Sequence, residues 1–248
     1  MDSPGYIVLS HLVAAQRATA VTANNIANAD TPGFRASRPL FGSVLERQMG
    51  AAAPQGGRDL VFAQDRATWR DDAAAPLTRT GNPLDLALAD RNAFFAVETP
   101  RGERYTRAGR FTLDEQGQVV DPDGNAVLGT DNRPIRIEPG TARIDIRGDG
   151  SVATENGPAG RLRILRFDDA QRLMAEGERN LAATADMTPR IVDQPGVVQG
   201  AMEGSNVRPV LELTRLTDEM RHFQFVAQMA EREGERLGSA VERILRRR

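Results

Sequence analysis

His11 and His222 are the only histidines in this 248-residue chain. A histidine beside a carboxylate can serve as a general base, but it needs a nucleophile to activate, and the chain has no Cys and no positioned Ser motif. The missing Cys also removes disulfides, thiolate catalysis and Cys-ligated metals. All 32 basic residues are Arg, which removes lysine nucleophiles and Schiff-base chemistry. Asp121-Pro122-Asp123-Gly124-Asn125 has the look of a calcium loop. An EF-hand, however, needs Gly at position six and a bidentate Glu at position twelve. Here Gly124 stands fourth and Asn132 twelfth, so the segment reads as a turn. Arg147-Gly148-Asp149 spells an adhesion tripeptide that a hairpin turn explains equally well. Carboxylates are plentiful enough to furnish a glycosidase pair, but only Trp69, Tyr6 and Tyr105 are on hand to help stack a sugar. No catalytic, cofactor-binding or metal-ligating residue is assigned.

The elements that would position any site fall into three parts. At the N-terminus, Ser3 as cap with Pro4 in the first turn starts a helix. Val8, Leu12, Ala15, Thr19, Thr22 and Ile26 then follow at helical spacing, a weakly apolar seam that stops at Thr31-Pro32-Gly33. At the C-terminus, Asn206 is the expected cap, with Pro209 close behind. A heptad runs through Leu213, Leu216, Met220, Phe223, Ala227, Ala230, Gly234, Leu237, Val241 and Ile244. From Asn206 to Arg246 such a helix would extend about 60 Å, too long to bury its stripe in a small core, so it calls for a partner.

Residues 81–205 carry turn chemistry at Gly81-Asn82-Pro83, Asp121–Asn125, Gly148-Asp149-Gly150 and Glu155-Asn156-Gly157-Pro158. Short runs at 111–113, 135–137, 144–146 and 162–165 read as strands, with one short helix near Ala170–Glu176. No helices intervene as parallel crossovers would need, so the sheet is antiparallel. Residues 50–80 and 186–205 are rich in Gly, Pro or Ala and read as extended connectors. The fold class is therefore α+β, with paired, coiled-coil-like terminal helices, an extended connector and an antiparallel β-rich middle domain. The divisions are 1–30, 31–80, 81–205 with its trailing linker, and 206–248.

With 40% hydrophobic and 27% charged residues, the chain is not disordered as a whole. A net charge of -2 gives no bulk attraction to nucleic acid or anionic membrane. The start, Met1-Asp2-Ser3-Pro4, lacks the basic and apolar regions of a cleaved signal. No run approaches the roughly 18 apolar residues of a membrane span, so no direct membrane insertion is expected.

Three blocks carry a resemblance. Ala23-Asn24-Asn25-Ile26-Ala27-Asn28-Ala29-Asp30-Thr31-Pro32-Gly33-Phe34-Arg35 resembles the N-terminal signature of the flagellar rod and hook axial proteins. Gly81–Ala87, Phe94-Phe95 and Tyr105–Phe111 resemble the start of that family's β-rich middle domain. Gly204-Ser205-Asn206-Val207 resembles the lead into its C-terminal helix. The family commonly places glycines before the Phe pair, where this chain has Asp90-Arg91-Asn92-Ala93. Thr31–Arg35 and Arg221-His222-Phe223-Gln224-Phe225 look more like a proximal than a distal rod member.

The resemblance implies a structural subunit of the proximal basal-body rod. A distal rod subunit is the alternative, and a rod-associated peptidoglycan-cleaving enzyme a remoter one. Terminal helices would pack with those of other rod proteins and of further copies, the middle domain outside. The subunit would leave the cytoplasm through the flagellar type III apparatus and carry torque from motor to hook across the periplasm. The expected assembly interface is Asn24, Asn25, Ile26, Asn28, Thr31, Pro32, Gly33, Phe34, Leu213, Leu216, Met220 and Phe223. Asn24 and Asn28 share a helix face and would bond across helices.

Overall fold

The computed structural model describes residues 3–47, 59–138, 140–177 and 179–246. Two helices, α1 (Ser3–Ala27) and α2 (Pro209–Leu245), bracket eighteen strands. The first two are long, β1 (Ser37–Arg47) and β2 (Asp59–Arg70). Then come β3 (Leu77–Arg79), β4 (Leu86–Leu88), β5 (Ala93–Thr99), β6 (Gly102–Thr106), β7 (Thr112–Leu113), β8 (Val119–Val120) and β9 (Ala126–Val127). β10 (Ile144–Ile146), β11 (Ser151–Thr154), β12 (Gly157–Arg161), β13 (Ile164–Arg166) and β14 (Met174–Glu176) follow. The last are β15 (Asn180–Ala182), β16 (Arg190–Ile191), β17 (Val197–Gln199) and β18 (Ala201–Glu203). Strand pairing among the described residues is antiparallel throughout.

The chain divides into two compact units. A helix–hairpin unit comprises residues 1–27, 37–70 and 208–248, and a β unit comprises residues 28–36 and 71–207.

In the β unit a nine-stranded sheet is ordered β14-β15-β6-β5-β9-β8-β7, with β13 pairing β5 and β16. Smaller sheets β10-β11-β12, β17-β4 and β18-β3 accompany it. β5 is the hub, because Phe94 and Phe95 point to opposite faces of the strand and each nucleates a separate core. Phe95 packs edge-on against Phe111, with ring centroids 5.2 Å apart. Phe94 packs in the same way on Phe167, which also meets Tyr105. Burying aromatics of this size dominates a core's energetics. The stretch before β5 closes without the family's glycines: Asp90 accepts from the Asn92 and Ala93 amides at 3.0 and 3.3 Å. Asp121–Asn125 is a turn, with Gly124 at φ 84 and the buried Asp121 carboxylate accepting from the 123 and 125 amides.

Several sequence expectations are corrected. The segment at 31–80 is not only an extended connector: it contains the β1–β2 hairpin, whose cross-strand partners run from Ser37↔Arg70 to Arg47↔Asp59 with a shift after Leu40. The helix expected near Ala170–Glu176 is a single 3₁₀ turn, Ala170–Arg172, capped by Asp169 and followed by β14. Within residues 135–137, Arg136 makes an isolated bridge to Gln118 in place of a strand.

Candidate assembly surface

In the helix–hairpin unit α1 and α2 run antiparallel, so residue 25 of α1 lies by 212 of α2 and residue 22 by 219. On α2 the side facing α1 carries Glu212, Leu216, Glu219, Phe223, Val226, Ala230 and Glu233, all buried or half-buried, at steps of four and three. The seam expected from the sequence lies one step round the helix. It shares Leu216, Phe223 and Ala230 with the observed one, but Leu213 and Met220 are 51% and 49% exposed. The expected positions Leu237, Val241 and Ile244 lie outside the side chains the structure describes.

Polar side chains fill the gap. Glu212 is 1% exposed and receives Arg38 of β1 at 2.8 Å, Arg215 at 3.1 Å and the Asn25 amide at 3.4 Å. Burial pushes its carboxyl up, and the Arg38 hydrogen bond and charge, with Arg215 and Asn25, outweigh that and bring it below the ordinary glutamate value. Glu219 accepts from the Thr22 hydroxyl at 3.0 Å, and burial pushes its carboxyl up more strongly than Thr22 and Arg215 draw it down. Its Oε2 has no hydrogen-bond partner among the described residues.

Two of the three signature asparagines, Asn25 and Asn28, are buried within the chain. Asn25 is fully buried; its side chain donates to the Ser37 carbonyl at 2.9 Å and accepts from the Ser37 amide at 2.8 Å, fixing the start of β1. Asn28 is buried in the turn after α1, where its carbonyl and side-chain oxygen accept from the Thr31 amide and hydroxyl. Asn24 is exposed, whereas Asn28 is buried. Ile26, Thr31, Pro32, Gly33 and Phe34 are half-buried.

Within the β unit the rest of the signature acts as a strap. Gly33, at φ 70, donates to the Glu203 carbonyl at 3.0 Å, and a Cβ there would lie 2.5 Å from the Arg107 carbonyl carbon. Only glycine suits both demands. Asn206, the expected helix cap, does something else. Its Oδ1 accepts from the Ala36 amide at 2.7 Å, and its Nδ2 donates to the Asp71 and Ala73 carbonyls. α2 instead begins at Pro209, whose missing N–H suits a first helical position. Beside the strap, buried Arg107 forks onto Glu203 and donates to the carbonyls of Leu88, Asp90, Arg91 and Ala93. Sequence reasoning missed this pair, which no spacing rule connects across 96 residues. The Glu212–Glu219 repeat, seven apart within an apolar heptad, was the readable sign of a polar seam.

Several large apolar side chains remain open. One flank of α2 carries Leu213 and Met220. The other carries Leu211, Phe225 and Met229, 55%, 61% and 46% exposed, and borders a groove of about 540 Å³ with Ala15, Ala18 and His222. α1 turns Tyr6, Leu9 and Val13 to solvent. No helix among the described residues is long and apolar enough to cross a membrane.

Models of known families match in three places. Residues 6–35 match the flagella basal body rod protein family, 90–154 the flagellar hook protein FlgE/F/G D1 domain, and 198–243 the flagellar basal body rod FlgEFG protein C-terminal family. Along 98% of both chains the sequence is 34% identical to the flagellar basal-body rod protein FlgF of Caulobacter vibrioides. The chain belongs to the FlgF family of flagellar basal-body rod proteins. It is a structural subunit of the basal-body rod. The FlgF of Salmonella typhimurium is 31% identical over 90% of this chain and 91% of its own. The FlgG of Bacillus subtilis is 30% identical over 82% of this chain and 84% of its own. The two rod-family matches at the ends cover α1 with its strap, and β18 with most of α2.

Proposed function

We propose that this rod subunit serves in the proximal rod and works mechanically rather than as an enzyme. Its terminal helices, packed in a coiled-coil-like pair, contact further copies and other rod proteins and pass torque from motor to hook across the periplasm. Leu213, Met220, Leu216 and Phe223 of α2, with Asn24 and Ile26 of α1, form the contact set. Asn25, Asn28, Thr31, Pro32, Gly33 and Phe34 serve it indirectly by shaping the surface from within. The subunit needs no cofactor or metal, binds no nucleic acid and does not insert in the membrane. It travels through the flagellar type III apparatus.

One observation carries this reading: a helix about 55 Å long has its inner face occupied and still exposes large apolar side chains on both flanks. Contiguous exposed apolar surface marks an interaction site. Quantitative mass spectrometry of purified hook–basal bodies tests it. A few copies per particle supports the proximal position. Many copies would place the chain distally, beside its FlgG relatives, and no copies in intact particles would remove the assembly reading.

A further inference from the structure

α2 offers α1 two competing stripes. One comprises Glu212, Leu216, Glu219, Phe223, Val226 and Ala230; the other comprises Leu213, Leu216, Met220, Phe223, Ala227 and Ala230. They share three residues, and exchanging them takes a rotation of α2 by less than one residue's step of about 100°. Counted by apolar burial alone, the second stripe should face α1. The first does, with Glu212 at 1% exposure while Leu213 and Met220 stand half open.

We propose that Thr22, Asn25, Arg38, Glu212 and Glu219 form a facing lock, which selects the polar stripe for α1 and so keeps Leu213 and Met220 open. The use made of the open flank rests on the assembly reading above; the selection itself does not. Asn25 is the fixed point. Its amide is held by both backbone groups of Ser37, so it cannot turn away if α2 rotates. Arg38 stands beside it on β1 and reaches Glu212 at 2.8 Å. With Leu213 in place of Glu212, the Asn25 hydrogen bond and the Arg38 ion pair to the carboxylate would be lost and an apolar side chain would face them. Thr22 sets a second point through Glu219. Among the described residues Glu219 Oε2 has no hydrogen-bond partner, so this point gives up stability. That suits a device whose gain is specificity, as with a buried Asn that fixes coiled-coil register.

The chain's lack of Cys makes an introduced thiol unique. Single-thiol forms M220C and V226C of the dilute full chain are labelled with a small alkylating reagent. In the otherwise unaltered chain the M220C thiol reacts at least tenfold faster than the V226C thiol. Adding Thr22→Val and Arg38→Leu inverts that order, because a rotated α2 buries position 220 and opens position 226. Adding Glu212→Leu and Glu219→Leu on top restores the original order, since the first stripe is then apolar and needs no lock. If both thiols speed up together on loss of Thr22 and Arg38, the cluster merely holds the helices together and the lock is refuted. An unchanged order refutes it too. Sedimentation of the same proteins separates the two readings: a chain that keeps its labelling order yet never self-associates counts against assembly and leaves the lock standing.

Discussion

The two units handle apolar surface in opposite ways. In the β unit Phe95, Phe111, Phe167, Ile164 and Leu165 are at most 2% exposed, and its exposed large apolar residues, such as Met174 and Ile191, are scattered. In the helix–hairpin unit Ala15, Val21 and Val226 are the fully buried apolar side chains among the described residues, while Tyr6, Leu9, Val13, Leu211, Leu213, Phe225 and Met229 are open. The first unit is finished as a folded object. The second mixes polar groups such as Glu212 and Glu219 into its inner seam and leaves several large apolar side chains outside. A folded core stabilises one chain, whereas an exposed stripe gains its stability only when another chain covers it.

Substitutions should separate the units in order of severity. Phe95→Ala removes the hub of the larger core and should cost the β unit about 3–5 kcal/mol, read by chemical denaturation, with little change in helix content. Asn206→Ala leaves the Ala36 amide and two carbonyls without their partner and should cost roughly 1–3 kcal/mol in the same unit. Gly33→Ala should cost about 1–2 kcal/mol for its left-handed backbone alone, and more from the collision with Arg107.

The helix pair should respond to pH instead. Glu219 is raised, so its contribution is present in acid and lost as pH rises through its elevated value. Glu212 is lowered, so its contribution is present above the ordinary glutamate value and lost as pH falls through its depressed one. Helix melting should therefore be most resistant close to the ordinary glutamate range. Glu219→Gln should flatten the decline on the alkaline side while leaving the acid side in place. The smallest effect on the free chain belongs to Leu213→Ser with Met220→Gln, within about 0.5 kcal/mol of the parent, although rod assembly and motility should fail. Failed folding in that variant, or normal motility, would erase the contrast between the units.

The sequence made some of this legible and hid the rest for physical reasons. Terminal helices, the antiparallel middle, the Asp121–Asn125 turn and the positive φ of Gly33 follow from local chemistry, which periodicity and turn residues report. The β1–β2 hairpin escaped because its pairing is non-local and the intervening stretch from Gly50 to Gly57 carries no apolar alternation. Asn206 was read as a helix cap because its type suits one, but backbone groups from residues 36, 71 and 73 claim it first. The heptad through Leu213 and Met220 does not reveal which side of α2 faces α1, because a hydrophobic count scores Glu212 as solvent-facing. Only its partners, Asn25 and Arg38, roughly 175–190 residues away, make it an interior residue.

The flank of α2 bearing Met220 should be open in the free chain and covered in the rod. Alkylation of the M220C thiol, in the dilute chain and again in purified hook–basal bodies, tests this most directly. The reaction should be at least tenfold slower in the particle. Equal rates in the two states would mean that no neighbour covers this flank, and the assembly surface would have to lie elsewhere on the molecule.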